Sequence, residues 1–269
     1  FISSHNYLNK KIMNLKNISH PYGNFKISFT KSVKKLLLNL LRFLVNFFYK
    51  LDHDDEVIIS SAVHAPWLKD KEFYKFYKLI KEFTLLDPPR AYTLWQCSRN
   101  LRSSHGNILD IGCLLGGAGF LMNKANQNGK TYLFDTFSGF KETKLTKDDW
   151  IHKKDTFFFS GISFVKKNIF KLKLKKITVH KSYFPKNLNF SIHKIKLCHI
   201  DVNTYGNTKE VFEYVDKRLI RSGIIIFDDF GIWGLDGIKK YIYKIYPNFE
   251  HRYHFLFNYM GQCILIKKI

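Results

Sequence analysis

The sequence predicts an α/β fold: a mostly parallel, seven-stranded sheet with helices on both faces, preceded by a helical N-terminal extension. Five apolar segments of strand length alternate with helical segments between residues 91 and 246, as parallel strands with crossover helices do. A glycine-rich loop follows the first strand, and segments 251–257 and 262–268 read as a closing hairpin. The 269 residues fit one such domain with an extension, or at most two small domains.

Residues 1–90 are assigned to the extension and residues 91–269 to the α/β domain. Residues 34–50 (KKLLLNLLRFLVNFFYK) predict an amphipathic helix that is too short and interrupted for a membrane span. Its narrow polar stripe is formed by Lys35, Asn39, Arg42, Asn46 and Lys50. Two alternatives remain: the helix lies in a membrane interface with its cationic ends against lipid head groups, or it packs on the domain or a second subunit.

A second amphipathic helix is predicted over residues 67–83 (WLKDKEFYKFYKLIKEF), where aromatics and leucines recur at helical spacing. Pro88 and Pro89 are expected to break it, and a further helix over 91–101 leads into the glycine-rich loop. These helices are core elements by default. Their position before the loop also makes the 67–83 helix a candidate substrate lid.

The charge balance is strongly basic, with 44 Lys and Arg against 22 Asp and Glu, a net charge of +22. Nucleic acid, an anionic membrane or an acidic substrate would suit this charge. A dedicated nucleic-acid role is disfavoured, because the lysines are scattered and no RNP, zinc-finger or helix-turn-helix signature is present. The cysteines are far apart and form no CxxC pattern, so reduced thiols in a cytoplasmic protein are expected. They are Cys97, Cys113, Cys198 and Cys263.

The glycine-rich loop lies within residues 108–120 (ILDIGCLLGGAGF). Strand, loop and helix in this order let backbone amides approach a nucleotide-like ligand, because glycine has no Cβ to block it. The loop glycines are Gly112, Gly116, Gly117 and Gly119, a spacing that differs from the GxGxxG fingerprint. A tight strand-to-helix connection without a ligand is the alternative.

Acidic residues end several of the later strands. The strand over 130–135 ends at Asp135, where nucleotide-binding α/β folds place the acid that holds ribose hydroxyls. The insert after it, with Asp148, Asp149 and Trp150, is a surface loop or a lid. The remaining strands are predicted at 176–180, 195–201 and 223–228, and the remaining helices at 157–170, 206–220 and 238–246.

Asp201, Asp228 and Asp229 follow the fourth and fifth strands, which are expected to be neighbours. Because ligands of such sheets bind beyond the carboxyl ends of the strands, these acids should converge in one cleft. Converging carboxylates repel unless protons or a cation relieve them, and hard oxygen ligands suit Mg²⁺ or a similar divalent ion. The alternative is that Asp228 and Asp229 cap a turn and that Asp201 is a solvated strand end.

Four motifs follow one another along the chain: residues 108–120, 132–140 (YLFDTFSGF), 199–208 (HIDVNTYGNT) and 223–231 (GIIIFDDFG). These motifs and their order resemble those of the macrocin-type O-methyltransferases, the sugar O-methyltransferases of macrolide and aminocoumarin biosynthesis and their bacterial relatives. The segment 233–237 is also similar to the segment that follows the family's double aspartate. The resemblance covers roughly residues 91–268.

This resemblance implies a class I, Rossmann-like fold that binds S-adenosylmethionine (SAM), with Mg²⁺ held by Asp201, Asp228 and Asp229. The implied cofactor residues are Asp110, Gly112, Gly116 and Gly117 at the methionine end, Asp135 at the ribose with Thr136 and Phe137 beside it, and Ser182 near the adenine. The family usually has a second acid two residues after the first, where this chain has Asn203. This departure weakens the expected metal binding.

The expected reaction is SAM-dependent, Mg²⁺-dependent methylation of a hydroxyl on a sugar, a glycosylated small molecule or a glycan precursor. Asp201 is the first choice for the proton acceptor and His199 the second, although His199 is also explained as a packed histidine. The rival functions are a catalytically silent binding protein that keeps the methyltransferase fold, and an RNA methyltransferase that uses the basic charge. The expected location is the cytoplasm, with membrane contact through residues 34–50 and a homo-oligomer as open alternatives.

Overall fold

A computed structural model describes residues 29–49, 57–59, 64–140, 145, 147–149, 161–232 and 234–268. The chain forms two compact units, residues 1–63 and 64–269. The sequence analysis put the division at residue 90 instead. Phe73, Phe76 and Ile80 of the 64–90 segment lie in the same hydrophobic cluster as strand residues of the sheet, so this segment belongs to the second unit.

In the first unit, polar side chains of helix α1 (Phe29–Phe48) form hydrogen bonds with the backbone of the segment that follows the helix. The Arg42 Nε atom donates to the Ile59 carbonyl at 2.9 Å, and the Asn46 side chain accepts from the Val57 amide at 2.6 Å. Large apolar side chains remain exposed: Leu36, Leu37, Leu40, Leu41, Phe43, Leu44, Phe47 and Phe48. Within the described residues, no helix has both the length and the apolar character to cross a bilayer. Contact of α1 with a membrane surface or a second subunit stays a prediction.

The second unit contains one seven-stranded sheet in the order β3-β2-β1-β4-β5-β7-β6. Its strands are β1 (Asn107–Ile111), β2 (Thr131–Asp135), β3 (Ile177–Lys181), β4 (Ile195–Ile200), β5 (Leu219–Phe227), β6 (Tyr253–Phe257) and β7 (Cys263–Lys267). The first five strands pair in parallel, and β7 pairs antiparallel with both β5 and β6. The predicted fold class and the closing hairpin are confirmed.

Among the residues that the structure describes, six α-helices accompany this sheet: α2 (Lys71–Ile80), α3 (Pro88–Asn100), α4 (Gly117–Ala125), α5 (Ile162–Lys171), α6 (Tyr205–Asp216) and α7 (Asp236–Phe249). Helix α6 ends earlier than predicted, because β5 already begins at Leu219, which pairs with Ile195 of β4. The predicted helix over 157–170 is observed as α5, and residues 157–160 lie outside the described residues, as do Trp150 and Trp233.

The predicted helix over 67–83 consists of α2 and a short 3₁₀ turn at each end. Asp70 interrupts it as the N-cap of α2, since its side chain accepts from the Phe73 amide at 3.0 Å. Pro88 and Pro89 form the first turn of α3, where the missing amide hydrogen of proline costs no helical hydrogen bond. The Asp87 side chain caps this helix by accepting from the Arg90 amide at 2.9 Å.

Two hydrophobic clusters cover the two faces of the sheet, as the alternation of side chains along a strand requires. Ile108 of β1 belongs to the cluster with helices α2 to α5. Leu109 and Ile111 belong to the opposite cluster, with helices α6 and α7. Both faces of the central strands are thus buried, and the polar residues of the site lie at or beyond the strand ends.

Candidate active site

A cavity of about 340 Å³ opens at the carboxyl ends of the central strands. The strand order reverses at β1, with β2 and β3 on one side and β4 and β5 on the other, which is where open α/β sheets bind ligands. The predicted site residues that line the cavity are Gly112, Asp135, Thr136, Ser182, Asp201, Asp228 and Asp229. Asp110, Gly116, Gly117, Phe137 and His199 were also predicted for the site but are not among its lining residues.

The loop glycines are required by close packing. A Cβ atom on Gly112 would lie 1.8 Å from the Asp201 carbonyl oxygen, so this glycine lets the loops after β1 and β4 approach each other. Gly116 has a φ of +91°, and a Cβ on Gly117 would lie 2.4 Å from the Phe83 carbonyl oxygen. The tight strand-to-helix connection is therefore observed, and the Gly112 backbone also borders the cavity.

Substitution Gly112→Ala is expected to lower the free energy of unfolding and to displace Asp201. The φ of +87° is unfavourable for alanine by about 1–2 kcal/mol, and the contact with Asp201 adds to this cost. A total of about 2 kcal/mol corresponds to a melting temperature lower by about 4–8 °C. Gly206→Ala is the matched control, because nothing lies within 4 Å of its added Cβ. Equal melting temperatures for the two variants would contradict the packing role of Gly112.

Asp135, at the end of β2, joins two loops that border the cavity. Its carboxylate accepts from the Leu114 amide at 2.8 Å and from the Phe137 amide at 2.7 Å. Burial raises the pKa of Asp135, and these backbone amides oppose the rise because they stabilise the ionised form. Beside it, the Ser182 amide donates to the Asp135 carbonyl at 2.9 Å, and the buried Ser182 hydroxyl has no hydrogen-bond partner.

The three predicted metal acids do converge at the ends of β4 and β5. Burial raises the pKa of Asp201 well above its ordinary value, and the charges of Asp229 and Asp228 add to the rise. Burial and the charge of Asp228 likewise raise the pKa of Asp229, to about 6, against the opposing effect of Arg90. The raised pKa values mean that these carboxylates disfavour their ionised forms unless a positive charge or a proton compensates them. Gln262 of the final hairpin orients Asp228 by donating to its Oδ1 atom at 2.9 Å.

Arg90 is the main functional residue that the sequence analysis missed. Its Nη1 atom lies 3.0 Å from Asp228 Oδ2 and 2.8 Å from Asp229 Oδ1. Burial alone would lower the pKa of Arg90, but the charges of Asp228 and Asp229 outweigh it and raise the pKa. The Asp-Pro-Pro-Arg segment indicates only that a helix begins here with Arg90 in its first turn, and not which residues the guanidinium contacts.

His199 and Asp110 form a buried pair next to the acids, with His199 Nε2 4.0 Å from Asp228 Oδ2. The His199 Nδ1 atom lies 2.8 Å from Asp110 Oδ1, and the two residues are direct neighbours across the β1–β4 pairing. Burial would lower the pKa of His199, but the hydrogen bond and charge of Asp110 outweigh it and raise the pKa to about 9. Asp110 was expected at the methionine end of the cofactor, and this stays a prediction; its Oδ1 atom contacts His199, and its Oδ2 atom has no hydrogen-bond partner.

Possible metal ligands group differently from the prediction. Ligand atoms of His199, Asp201 and Asp228 lie within 4.8 Å of one another. Asp229, predicted as the third ligand, lies 2.8 Å from Arg90 Nη1, and Asp228 lies 3.0 Å from the same atom, so the predicted set of three acids stays a prediction. Asn203, at the position where the family usually has a second acid, lines the cavity with its buried Oδ1 atom unpartnered. Asp149 of the predicted lid insert is buried and accepts from the Tyr205 amide at 3.2 Å, at the start of α6.

The fold is shared with solved methyltransferase structures. The O-methyltransferase NovP is 15% identical in sequence and superposes with a TM-score of 0.62, over 70% of this chain and 83% of NovP. CalS11, a calicheamicin methyltransferase, is 16% identical, with a TM-score of 0.55 over 89% of this chain and 93% of CalS11. The chain thus has the Rossmann-like fold of class I methyltransferases.

The sequence narrows this class to one family. The profile of the macrocin O-methyltransferases (TylF) matches residues 83–245, more than half of the chain. The chain therefore belongs to the macrocin O-methyltransferase family and is an S-adenosylmethionine-dependent O-methyltransferase. The match begins just before Arg90, so this arginine lies within the family region. No protein of curated function matches the chain in sequence.

Proposed function

We propose that this enzyme transfers the SAM methyl group to a hydroxyl of a sugar, a glycosylated small molecule or a glycan precursor, with the help of a divalent cation. The observation that carries the proposal is the single cavity that brings Asp135 together with Asp201 and Asp228. Family membership supports the methyl transfer, and the sugar acceptor rests on the resemblance to macrocin-type enzymes.

The cofactor fits the side of the cavity formed by the ends of β1 to β3. Asp135 keeps its carboxylate at this edge through two amide bonds and would accept hydrogen bonds from the ribose hydroxyls. The unpartnered Ser182 hydroxyl lies at the same edge and would contact the adenine. Bound there, SAM supplies an electrophilic methyl group on a sulfonium.

The opposite side of the cavity has the chemistry of a cation site. Asp201 and Asp228 are convergent carboxylates, and the buried His199 Nε2 atom beside them has no partner. Asp228 and Asp229 both contact Arg90 Nη1, at 3.0 Å and 2.8 Å, so a cation bound there would share these two carboxylates with the guanidinium. A divalent cation at these residues would lower the pKa of an acceptor hydroxyl and anchor a vicinal one.

The protein's own groups would then orient the acceptor and remove its proton. Asp201 borders the cavity and is the first choice for the proton acceptor, because a carboxylate with a raised pKa holds a proton more readily. His199 is less suited to this task, since it does not line the cavity and is bonded to Asp110. In-line alignment of hydroxyl and methyl group supplies much of the acceleration in such reactions.

Calorimetric titration with S-adenosylhomocysteine (SAH), with and without Mg²⁺, tests the proposal. Micromolar binding is expected, and EDTA is expected to abolish SAH release from SAM in a screen of glycosides. Absence of SAH binding in both conditions would favour the silent binding protein. Turnover of RNA but not glycosides, with a steep salt dependence of RNA binding, would favour the RNA methyltransferase.

A further inference from the structure

Helix α1 has a broad apolar face that is exposed. At about 100° per residue, the large apolar side chains exposed between residues 36 and 48 cover an arc of about 160° around the helix axis. Their exposed fractions range from 40% at Leu44 to 74% at Phe48. This apolar face consists of Leu36, Leu37, Leu40, Leu41, Phe43, Leu44, Phe47 and Phe48. Soluble proteins rarely expose an apolar patch of this extent, and such patches mark sites for a protein partner or a membrane.

The opposite side of α1 is polar and already contacts the protein's own chain. The Arg42 side chain donates to the Ile59 carbonyl oxygen, from Nε at 2.9 Å and from Nη2 at 2.5 Å. The Asn46 Oδ1 atom accepts from the Val57 amide at 2.6 Å. The segment that follows the helix therefore lies along the polar stripe, and the apolar face is directed away from it.

The charge of this part of the sequence decides between the two kinds of partner. No Asp or Glu precedes Asp52, whereas Lys34, Lys35 and Lys50 flank the apolar run. A second copy of α1 would bring these like charges together, but an anionic lipid surface would attract them. In addition, a pair of helices buries only a narrow seam, so part of an arc of about 160° would stay exposed in a dimer. Both arguments favour lipid over a second copy.

We propose that α1 binds this enzyme to an anionic membrane surface. The helix lies parallel to the membrane, with its apolar face in the boundary of the acyl chains and the flanking lysines at the head groups. Interfacial helices bind in this way, since buried apolar area and attraction to anionic lipid both contribute to their affinity. The polar stripe and the segment bound to it remain on the water side. This inference goes beyond the proposed methyl transfer and does not depend on it.

The test uses the full chain and vesicles, without cofactor or acceptor. Flotation measures the partition coefficient on vesicles of phosphatidylcholine with phosphatidylglycerol and on vesicles of phosphatidylcholine alone. The coefficient is expected to be at least about 10-fold higher on the anionic vesicles, because each lysine near such a surface strengthens binding several-fold. A photoactivatable group in the acyl chains is expected to label peptides that contain residues 36–48. Peptides of α5 that contain the exposed Phe170 should remain unlabelled.

Two double variants with unchanged charge separate insertion of the apolar face from adsorption of a basic protein. Leu40→Asn with Phe47→Asn alters the centre of the apolar face and should lower the partition coefficient on anionic vesicles at least about 10-fold. Leu79→Asn with Phe170→Asn is the matched control, because these side chains are exposed on α2 and α5. The control should bind within about twofold of the wild type. If the first double variant does not fold, the acyl-chain labelling of the wild type decides.

Equal losses in the two double variants, or anionic vesicles that bind without acyl-chain labelling of residues 36–48, would overturn the inference in favour of adsorption by charge alone. Absence of vesicle binding would overturn it as well. Light scattering without vesicles tests the second copy. A dimer that Leu40→Asn with Phe47→Asn dissociates would mean that another α1 covers the apolar face, and would likewise overturn the lipid site. SAH binding, measured separately, would be unaffected by any of these results.

Discussion

Substitution Asp201→Asn is expected to lower kcat for methyl transfer by about 10²–10⁴-fold, the range that a positioned general base contributes. The amide has nearly the same volume as the carboxylate but cannot accept the hydroxyl proton, and it is a poorer cation ligand. Asp201 lines the cavity and its carbonyl oxygen contacts the glycine loop, so an isosteric change is needed to keep that packing. The measurement is SAH release with the first glycoside acceptor that a screen identifies.

The same variant should bind SAH within about threefold of the wild type, because Asp201 lies on the side of the cavity where the cation, and not the cofactor, is proposed to bind. Asp236→Asn is the matched control: this residue lies in the first turn of α7, pairs with Lys239 at 3.6 Å and does not line the cavity. The control should retain wild-type kcat. If Asp201→Asn kept half of the wild-type rate, Asp201 would be neither the base nor a necessary ligand.

Substitution Asp135→Asn is expected to weaken SAH binding by about 100-fold. Each hydrogen bond to a charged group contributes about 1.5–3 kcal/mol, so losing the bonds to two ribose hydroxyls removes about 3 kcal/mol or more. The variant also disturbs the amide bonds from Leu114 and Phe137, since the new NH₂ group faces one of these donors. Both effects act in the same direction on cofactor affinity.

Titration calorimetry with SAH measures this loss, and thermal unfolding provides a second readout. At 100 times its dissociation constant, SAH should stabilise the wild type by about 2.7 kcal/mol, and this gain should nearly vanish in Asp135→Asn. Asp236→Asn again serves as the control and should bind like the wild type. A dissociation constant within about threefold of the wild type would mean that Asp135 only ties the two loops together.

The strands and their order along the chain were predictable from the sequence, because the signals that indicate them are local. The run 223–227 (GIIIF) has no polar side chain, and the run 195–200 (IKLCHI) is apolar except at Lys196 and His199, which is typical of strands buried on both faces. Parallel strands have their carboxyl ends at one edge, so the convergence of Asp135, Asp201 and Asp228 followed from the strand assignment alone. The structure brings all three to the cavity.

Arg90, in contrast, could not be found from local signals. It reaches Asp228 and Asp229 across 138 and 139 positions of the sequence. The Asp87 cap and the two prolines set only where its helix begins; the packing of α3 against the sheet sets where the guanidinium lies. The pairing of Asp110 with His199 likewise depends on the register of β1 against β4.

The amino-acid sequence alone was sufficient for the α/β class, the parallel core, the closing hairpin and the edge of the sheet that carries the acids. Hydrophobic periodicity and glycine spacing encode these features within a few residues. The groups that neutralise the acids could be identified only in the folded chain, because charges that are far apart in the sequence interact through space over a few ångströms. Register and helix docking bring Arg90 to Asp229 and His199 to Asp110, and they leave His199 Nε2 facing Asp228.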